Sequence, residues 1–524
     1  MRRHRVVMVV AGAAAVWCAA QLAATAAPTA GAVARAGTWR TAIEVPGVGS
    51  LNTGGKASVT SVSCRSAGNC TAGGFYLDRS FHARAFVVSE TKGTWAKAIK
   101  VPGLGTLPAG GGDDVKSVSC ATALNCAAIG TYAGSTGVQD FVVSKKNGTW
   151  RNAIEVPGFG ALNKHGALGN GSVSCASPGN CTAAGGYQDG SFRYQVFVVS
   201  ETNGTWRKAI EVPGLGTLNA GGGADVESVS CATAGNCAAI GTYADGTWGN
   251  AIEVPGLATL NAGGDAVIFS VSCASAGNCA AGGFYTDGAG QTQAFVVSQV
   301  NGTWRNAIEV PGLRWLNTGG DAAVDSVSCA SAGNCVAGGG YHTDAYHSQA
   351  FVVRETNGTW RRAFKVHGSG SLNLGGLANA DSVSCTSAGN CAAGGDYTDG
   401  AGQAQTFVAS ETAGTWRTAI EVPGSRTLPA GRFGSDALVS CATAGNCAAG
   451  LTYTDAIGTQ QAFVVSQVNG TWRNAIEIPG LRTLNAGGDA SITSVSCSSM
   501  GTCAAGGSYT DGAGHTQAFV VSQA

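Results

Sequence analysis

Residues 270–311 read SVSCASAGNCAAGGFYTDGAGQTQAFVVSQVNGTWRNAIEVP, and this stretch decides the fold. Ser270-Val271-Ser272-Cys273 is a brief β-type run, and Ala274-Ser275-Ala276-Gly277-Asn278 has the composition of a turn. Cys279 to Tyr285 is a second run, built from small residues. Thr286 to Thr292 is a Gly/Asp loop, and Gln293 to Ser298 is a third strand around Ala-Phe-Val-Val. Asn301-Gly302 is a strong hairpin signal, because both central residues of a type I′ turn need positive φ. Thr303 to Val310 is a fourth strand, ended by Pro311-Gly312. The unit reads as four short antiparallel strands.

The unit recurs along the chain. Gly-Thr-Trp places Trp39, Trp95, Trp150, Trp206, Trp248, Trp304, Trp360, Trp416 and Trp472 at steps of 55 or 56 residues, with a single step of 42. Four strands repeated at this period are the build of propeller blades. The fold expected is all-β: a single β-propeller of about nine ~56-residue four-stranded blades. The short step lies between Cys237 and Trp248, where the Phe-Val-Val strand is missing, so one blade is expected to be truncated to three strands. The repeat array begins at Ala36-Gly37-Thr38-Trp39 on a fourth strand and ends at Phe519-Val520-Val521-Ser522 on a third. Pairing of these two strands would close the ring, whereas an open stack would need polar capping units.

Composition agrees with a repeat architecture. At 524 residues the chain exceeds the ~250–300 at which single cores stop growing. Of these residues 81 are glycine, and only 12% are charged, with 31 basic against 31 acidic side chains. With no net charge and no Lys/Arg-rich tract, nucleic acid is excluded as an expected partner, since phosphate neutralisation needs a concentrated basic face.

The N-terminus has the marks of an export leader. Arg2, Arg3, His4 and Arg5 are a basic region, Val6 to Ala20 is nearly all apolar, and Ala24-Thr25-Ala26 supplies a small-residue cleavage site. Residues 1–26 are therefore read as a signal peptide, 27–35 as a short disordered segment and 36–524 as the propeller domain. The apolar run is short for a bilayer span of ~20 residues, although an uncleaved anchor is the alternative. The mature chain is expected to be secreted and monomeric, with no membrane span. Arginine in excess over lysine, with abundant Ala and Gly, points to a GC-rich bacterial genome.

Cysteines keep the same period as the tryptophans: Cys64 and Cys70, Cys120 and Cys126, Cys175 and Cys181, Cys231 and Cys237, Cys273 and Cys279, Cys329 and Cys335, Cys385 and Cys391, Cys441 and Cys447, Cys497 and Cys503, with Cys18 in the leader. In an exported chain these are read as nine local disulfides across the first hairpin of each unit. Metal is the rival, but two thiolates need two more ligands and the units hold no recurrent His. No metal or other cofactor is expected.

Ser200-Glu201-Thr202-Asn203-Gly204-Thr205-Trp206 and Ser298-Gln299-Val300-Asn301-Gly302-Thr303-Trp304 resemble degenerate Asp-box (BNR) hairpins, the Ser-x-Asp-x-Gly-x-Thr-Trp turns of sialidase-like propellers. These turns are one residue shorter, and Thr or Val stands in place of the Asp. The repeats as a whole resemble those of secreted bacterial propeller proteins with a Ser-Val-Ser-Cys…Gly-Asn-Cys signature. The Asp-box likeness implies blade geometry and no catalytic role.

Most recurrent residues have a structural reading. The repeat tryptophans and tyrosines are read as packing between blades. The acid of Ala-Ile-Glu-Val-Pro (Glu44, Glu155, Glu211, Glu253, Glu309, Glu421, Glu477) is expected to point to solvent. Asp287, Asp399, Asp455 and Asp511 are read as turn residues, and the Asn-Gly-Thr sequons as hairpin turns. A sialidase-type site would need an arginine triad with a Tyr-Glu pair, but Arg151, Arg207, Arg305, Arg361, Arg417 and Arg473 simply recur by unit. No Gly-x-Ser-x-Gly elbow, His-Glu-x-x-His or Walker loop is present. The chain is therefore not read as an enzyme.

The residues that break the repeat carry the functional reading. Trp315 and Arg314 lie on the crossover into the blade that holds His342, Tyr346 and His347. Phe81 and His82, with Arg79 and Arg84, break the loop between second and third strands of another blade, and Phe192, Arg193 and Tyr194 do so in a third. In a four-stranded blade this loop and the crossover open on the same face. Aromatics with Arg on one face suit a glycan or protein contact. The expected function is an extracellular binding or scaffold propeller. The alternatives are a glycan-active enzyme of sialidase-like type and a passive cell-envelope structural protein.

Overall fold

The computed structural model describes residues 4–11 and 38–523, apart from 108–111, 136, 168, 213–214, 216–218, 220–221, 245–251, 426–430, 434–436, 456 and 499–501. Of the segment read as a leader, residues 1–3 and 12–26, with Cys18, lie outside the described residues, as does the segment 27–35.

The strands of the described residues fall into nine antiparallel sheets, here numbered blades 1 to 9 from residue 57. Blade 5 shows the plan. Ala266–Ser275, Asn278–Thr286 and Thr292–Val300 run back and forth, and the fourth strand follows in two pieces, Thr303–Trp304 and Ile308–Glu309. Asn301 and Gly302 have φ of 49° and 85°, as a type I′ turn requires.

Cys273 stands opposite Cys279 in the first hairpin and is bonded to it. Every expected pair is bonded within its own blade: Cys64–Cys70, Cys120–Cys126, Cys175–Cys181, Cys231–Cys237, Cys329–Cys335, Cys385–Cys391, Cys441–Cys447 and Cys497–Cys503 join Cys273–Cys279. The second cysteine of each pair is buried, Cys126, Cys181 and Cys447 included, because the second strand is covered by its neighbours on both sides. The bonds are staples inside the blade wall. Such bonds persist in an oxidising compartment. No helix among the described residues is long and apolar enough to cross a membrane.

The Ser-Val-Ser-Cys run explains how blades are joined. Among the described residues, the first strands of neighbouring blades share no backbone ladder; serine hydroxyls link them instead. Ser61 and Ser63 of blade 1 accept the N–H groups of Val118 and Cys120 of blade 2, each at 3.1 Å. Ser270 and Ser272 do the same for Val327 and Cys329 at 2.9 and 3.0 Å. Links of this kind run round to Ser494 and Ser496, which accept from Val62 and Cys64 of blade 1. At the rim the ring is zipped by the chain ends: Ile43 pairs with Val520, Glu44 with Phe519, and Trp39 with Gln523.

Glycine permits close approach in blade 5. A Cβ at Gly282 would come within 2.6 Å of Val324 Cγ1 in the next blade, and one at Gly283 would overlap the carbonyl oxygen of Val267. At these two positions of blade 5 the second strand therefore has no room for a side chain. Tryptophans bridge blades as read: Trp206 Nε1 donates to Ser144 Oγ at 2.9 Å and Trp360 Nε1 to Ser298 Oγ at 2.8 Å.

One expectation is overturned. The repeat glutamate does not point to solvent; Ile43, Ile154, Ile210 and Ile308 do. Tyr132 donates its phenol to Glu155 Oε2 at 2.9 Å, and Tyr187, Tyr285 and Tyr509 do so to Glu211, Glu309 and Glu44. A buried tyrosine hydroxyl needs a partner, and the inward phase of this short strand supplies one.

Blade 4 is completed from elsewhere in the chain. Its own segment provides Asp225–Thr233, Asn236–Ala244 and Ile252–Glu253. The third-strand position between the last two is filled by His4–Ala11, which pairs with both. Four strands stand where the chain segment alone offers three.

Candidate functional site

Crossovers and second-to-third loops meet on one face, as read. Asn317 Oδ1 accepts the N–H of His342, Thr318 Oγ1 donates to the carbonyl of Thr343 at 2.6 Å, and Gly319 N–H donates to the carbonyl of His342. Trp315, at the end of the short turn Leu313–Trp315, thus stands on the segment packed against the 342–347 hairpin. It is 77% exposed, and Tyr346 is 81% exposed. Arg314 Nε is 3.2 Å from Glu309, the acid that also accepts the phenol of Tyr285. The same Arg–Glu pair recurs as Arg482–Glu477, with Thr483 in the place of Trp315. Arg314 thus has a counterpart in Arg482, whereas Trp315 has no tryptophan counterpart in any other unit.

The loop that carries Tyr346 is rebuilt. In blades 5, 7 and 9 an aspartate caps the loop: in blade 5 Asp287 Oδ1 accepts the N–H groups of Ala289 and Gln291, and Gly290 takes a φ of 77°. In blade 6 Thr343 stands in the position of Asp287, and the carboxylate has moved one residue on, to Asp344. Asp344 Oδ1 accepts from Tyr346 and His347 N–H at 2.9 Å, and His347 Nδ1 lies 2.8 Å from the same carboxylate. These bonds hold the Asp344 carboxyl below its usual range. Tyr346 takes the place of Gly290 with no positive φ. His342 Nε2 lies 3.8 Å from Asp321.

The next crossover extends the surface. Ser348 N–H donates to the carbonyl of Gly376, and a Cβ on Gly376 would run into the His347 ring. Leu374 and Leu377, on that crossover, are exposed. Trp315, Tyr346, His347, Leu374 and Leu377 are therefore exposed on one loop and the two crossovers that touch it, together called here the Trp315 band. The two leucines escaped the sequence reading because they sit in a crossover of ordinary length; comparison with their counterparts in blade 5, Ala262 and Asp265, was the available signal.

The other off-pattern loops occupy separate blades. Phe81 is 74% exposed and has a φ of 60°, in the position Gly290 holds in blade 5. His82 Nδ1 is 3.9 Å from Asp78, and Arg84 bonds both Asp78 and Asp113. Phe192 has the same left-handed backbone and stacks on His165 with ring centroids 3.7 Å apart. Tyr194 is not at the tip: it opens the third strand Tyr194–Thr202, its N–H donates to Gly222, and Phe192 holds the exposed position. Blades 1 and 3 do not adjoin blade 6, so Phe81, His82 and Tyr194 are not brought to the Trp315 band.

The cystines contribute nothing to this surface. Cys126, Cys181 and Cys447 are buried at the opposite end of the second strand from the loop that carries the aromatics, so their sulfurs fix the hairpin and do not face a ligand.

The inner strands hold acids that the sequence analysis did not single out. A β-bulge just before Ser-Val-Ser throws a residue off the ladder. It is Thr60 in blade 1, Lys116 in blade 2, Glu227 in blade 4 and Asp325 in blade 6, while blade 7 puts Asp381 there beside Ala380. Asn379 Nδ2 donates to both Asp325 Oδ2 and Asp381 Oδ1 at 2.9 Å. Burial pushes the Asp325 carboxyl up to about 6 and raises Asp225 and Glu227 as well. Among the described residues no group of three or more His, Cys, Asp or Glu could hold a metal ion.

No family model matches this chain, and no curated protein matches it. Among solved structures it is similar to the BP39L lectin from Burkholderia pseudomallei, at 12% identity and a TM-score of 0.38, over 81% of this chain and 99% of that one. It is also similar to Sqt1 of Chaetomium thermophilum, at 12% identity and a TM-score of 0.42, over 92% and 97%. A third is the subtype N11 neuraminidase-like protein of A/flat-faced bat/Peru/033/2010, at 12% identity and a TM-score of 0.31, over 68% and 87%. The fold assignment rests on the strand order and ring closure described above.

Proposed function

We propose that this chain is a secreted, monomeric binding propeller that recognises a saccharide through aromatics on its loop face. One observation carries the reading: the face displays large aromatic side chains where the other blades place Gly or Thr, and holds some of them there at a backbone cost. Phe81 and Phe192 adopt left-handed φ that an aromatic residue rarely takes, and both are exposed. Burial does not explain them, since nothing is gained in the core.

Trp315 and Tyr346 present flat apolar faces beside polar groups already fixed by partners, Arg314 on Glu309 and His347 on Asp344. A ring face can stack on the C–H face of a sugar while such fixed groups orient its hydroxyls. Export through residues 1–26 places the protein where envelope glycans are met, and the nine disulfides fit that environment.

The test replaces Trp315 with Thr and Tyr346 with Gly and probes wild type and the double variant on a glycan array and with culture-supernatant proteins. Glycan binding by wild type that falls at least about tenfold in the variant, with unchanged melting, supports the reading. Equal glycan binding by both removes this band from the site. Binding to a protein alone favours a protein-recognition propeller instead.

A further inference from the structure

The third strand of a blade meets a fixed register. In the eight blades other than blade 4 it carries a buried phenylalanine: Phe86, Phe141, Phe197, Phe295, Phe351, Phe407, Phe463 and Phe519. Phe295 stands opposite Gly283 of the second strand and Glu309 of the fourth. In blade 4 the corresponding residues are Gly241 and Glu253, and the residue opposite both is Val7. Met8 stands opposite Ile240 and Ile252, as Val296 does opposite Gly282 and Ile308. The N-terminal segment therefore occupies the slot in the register of a true third strand, but it lacks the phenylalanine of every other blade.

The slot cannot be left open without consequence. With His4–Ala11 gone, Asn236–Ala244 keeps a ladder only with Asp225–Thr233, and Ile252–Glu253 loses the strand it pairs with. Ala238, Ile240 and Val254, now buried in the cluster shared with blade 5, border that gap. An open edge eight residues long, beside apolar side chains and between two framing strands, is an acceptor for strand addition.

We propose that blade 4 is a strand-acceptor site: once residues 1–26 are removed on export, the slot takes up an extended segment of a second polypeptide. That segment runs antiparallel to Asn236–Ala244 and carries Phe-Val-Val, or an equally large aromatic followed by branched residues, at the register of Val7, Met8 and Val9. Main-chain hydrogen bonds supply the docking and the aromatic supplies the selection. The inference rests on leader removal, and the experiment separates the two.

Protein recovered after export is analysed by intact mass to place its N-terminus. It is then mixed with three synthetic peptides: QAFVVSQV (the sequence of residues 293–300), its Phe295→Asp version, and HRVVMVVA (residues 4–11). Amide exchange is followed in 236–244 and 252–253. The expected result is an N-terminus beyond residue 11, fast exchange in 236–244, and uptake of one QAFVVSQV per propeller that slows this exchange. HRVVMVVA should bind more weakly, and the Asp peptide at least about tenfold more weakly, than QAFVVSQV. An N-terminus upstream of residue 4 with slow exchange and no uptake shows that the chain keeps its own strand, and overturns the proposal through leader removal. An N-terminus beyond residue 11 with no uptake of any peptide, or uptake indifferent to Phe295→Asp, overturns the acceptor site itself.

Discussion

The hydroxyl of Ser494 accepts the backbone N–H of Val62 at 3.0 Å, tying together residues 432 positions apart. It joins the first strand of blade 9 to that of blade 1, and the same bond recurs between Ser61 and Val118 and between Ser326 and Val383. The ring is thus closed twice, by this inner link and by the pairing of Ile43 with Val520 at the rim. First strands at an axis cannot lie edge to edge as in a flat sheet, so a short side chain spans the gap and satisfies donors that would otherwise be orphaned.

Replacing both Ser494 and Ser496 with Ala should therefore destabilise the ring at its closure. Val62 and Cys64 would lose the acceptors of their N–H groups, at about 1–3 kcal/mol for each buried donor. Thermal unfolding checks this, with Ser50→Ala, an exposed loop serine bonded locally to Gly47, as the control that should leave melting unchanged.

Closure at the rim makes a second expectation. Deleting residues 37–45 removes the partner of Phe519 and Val520 and bares the edge of blade 9. Such an edge invites pairing between chains, so light scattering should show larger particles than the intact chain gives at the same concentration. A monomeric variant with unchanged melting would mean that closure does not depend on this pairing.

Asp140 should be a source of instability. It stands where most blades have Ala, is 1% exposed, and its Oδ1 has no hydrogen-bond partner. Burial pushes its carboxyl up to about 8, opposed only by the charge of Lys116. Because the folded value lies above the unfolded one, the favourable contribution is complete below about pH 4 and is lost as pH rises towards 8. Asp140→Ala should raise stability at pH 8 by an amount of order a few kcal/mol, and should flatten the fall between pH 4 and 8 seen in unfolding by denaturant.

Each disulfide closes a small loop, with the paired cysteines six positions apart. On the chain-entropy model, Cys273→Ser with Cys279→Ser should cost about 2 kcal/mol. Reduction of all nine should lower the melting temperature much further, and calorimetry with and without reductant reads both.

Blade architecture was legible because it is local and periodic. Asn301-Gly302 dictates a turn by its own backbone preferences, Cys273 and Cys279 flank one hairpin, and a period of 55 or 56 residues repeats them around the chain. Closure was legible for the same reason, since the array starts on a fourth strand and ends on a third. The direction of the repeat glutamate was not legible. Alternation alone cannot give the phase of a two-residue strand; in the folded blade that phase turns the acid towards Tyr132 and its counterparts and leaves the isoleucine outside. The pairing of Cys126, Cys181 and Cys447 could be read from spacing, whereas their burial follows from the packing of one blade on the next. The exposed band at Trp315 and Tyr346 could be read as off-pattern residues. Its extension to Leu374, and the separation of Phe81 from it, depend on which crossover touches which loop. The filling of blade 4 by His4–Ala11 lay furthest from the sequence, where the same residues read as a leader. Backbone ladders accept any extended segment of suitable register, so the sequence determines which strands can form, while only the assembled ring creates the gap that selects one.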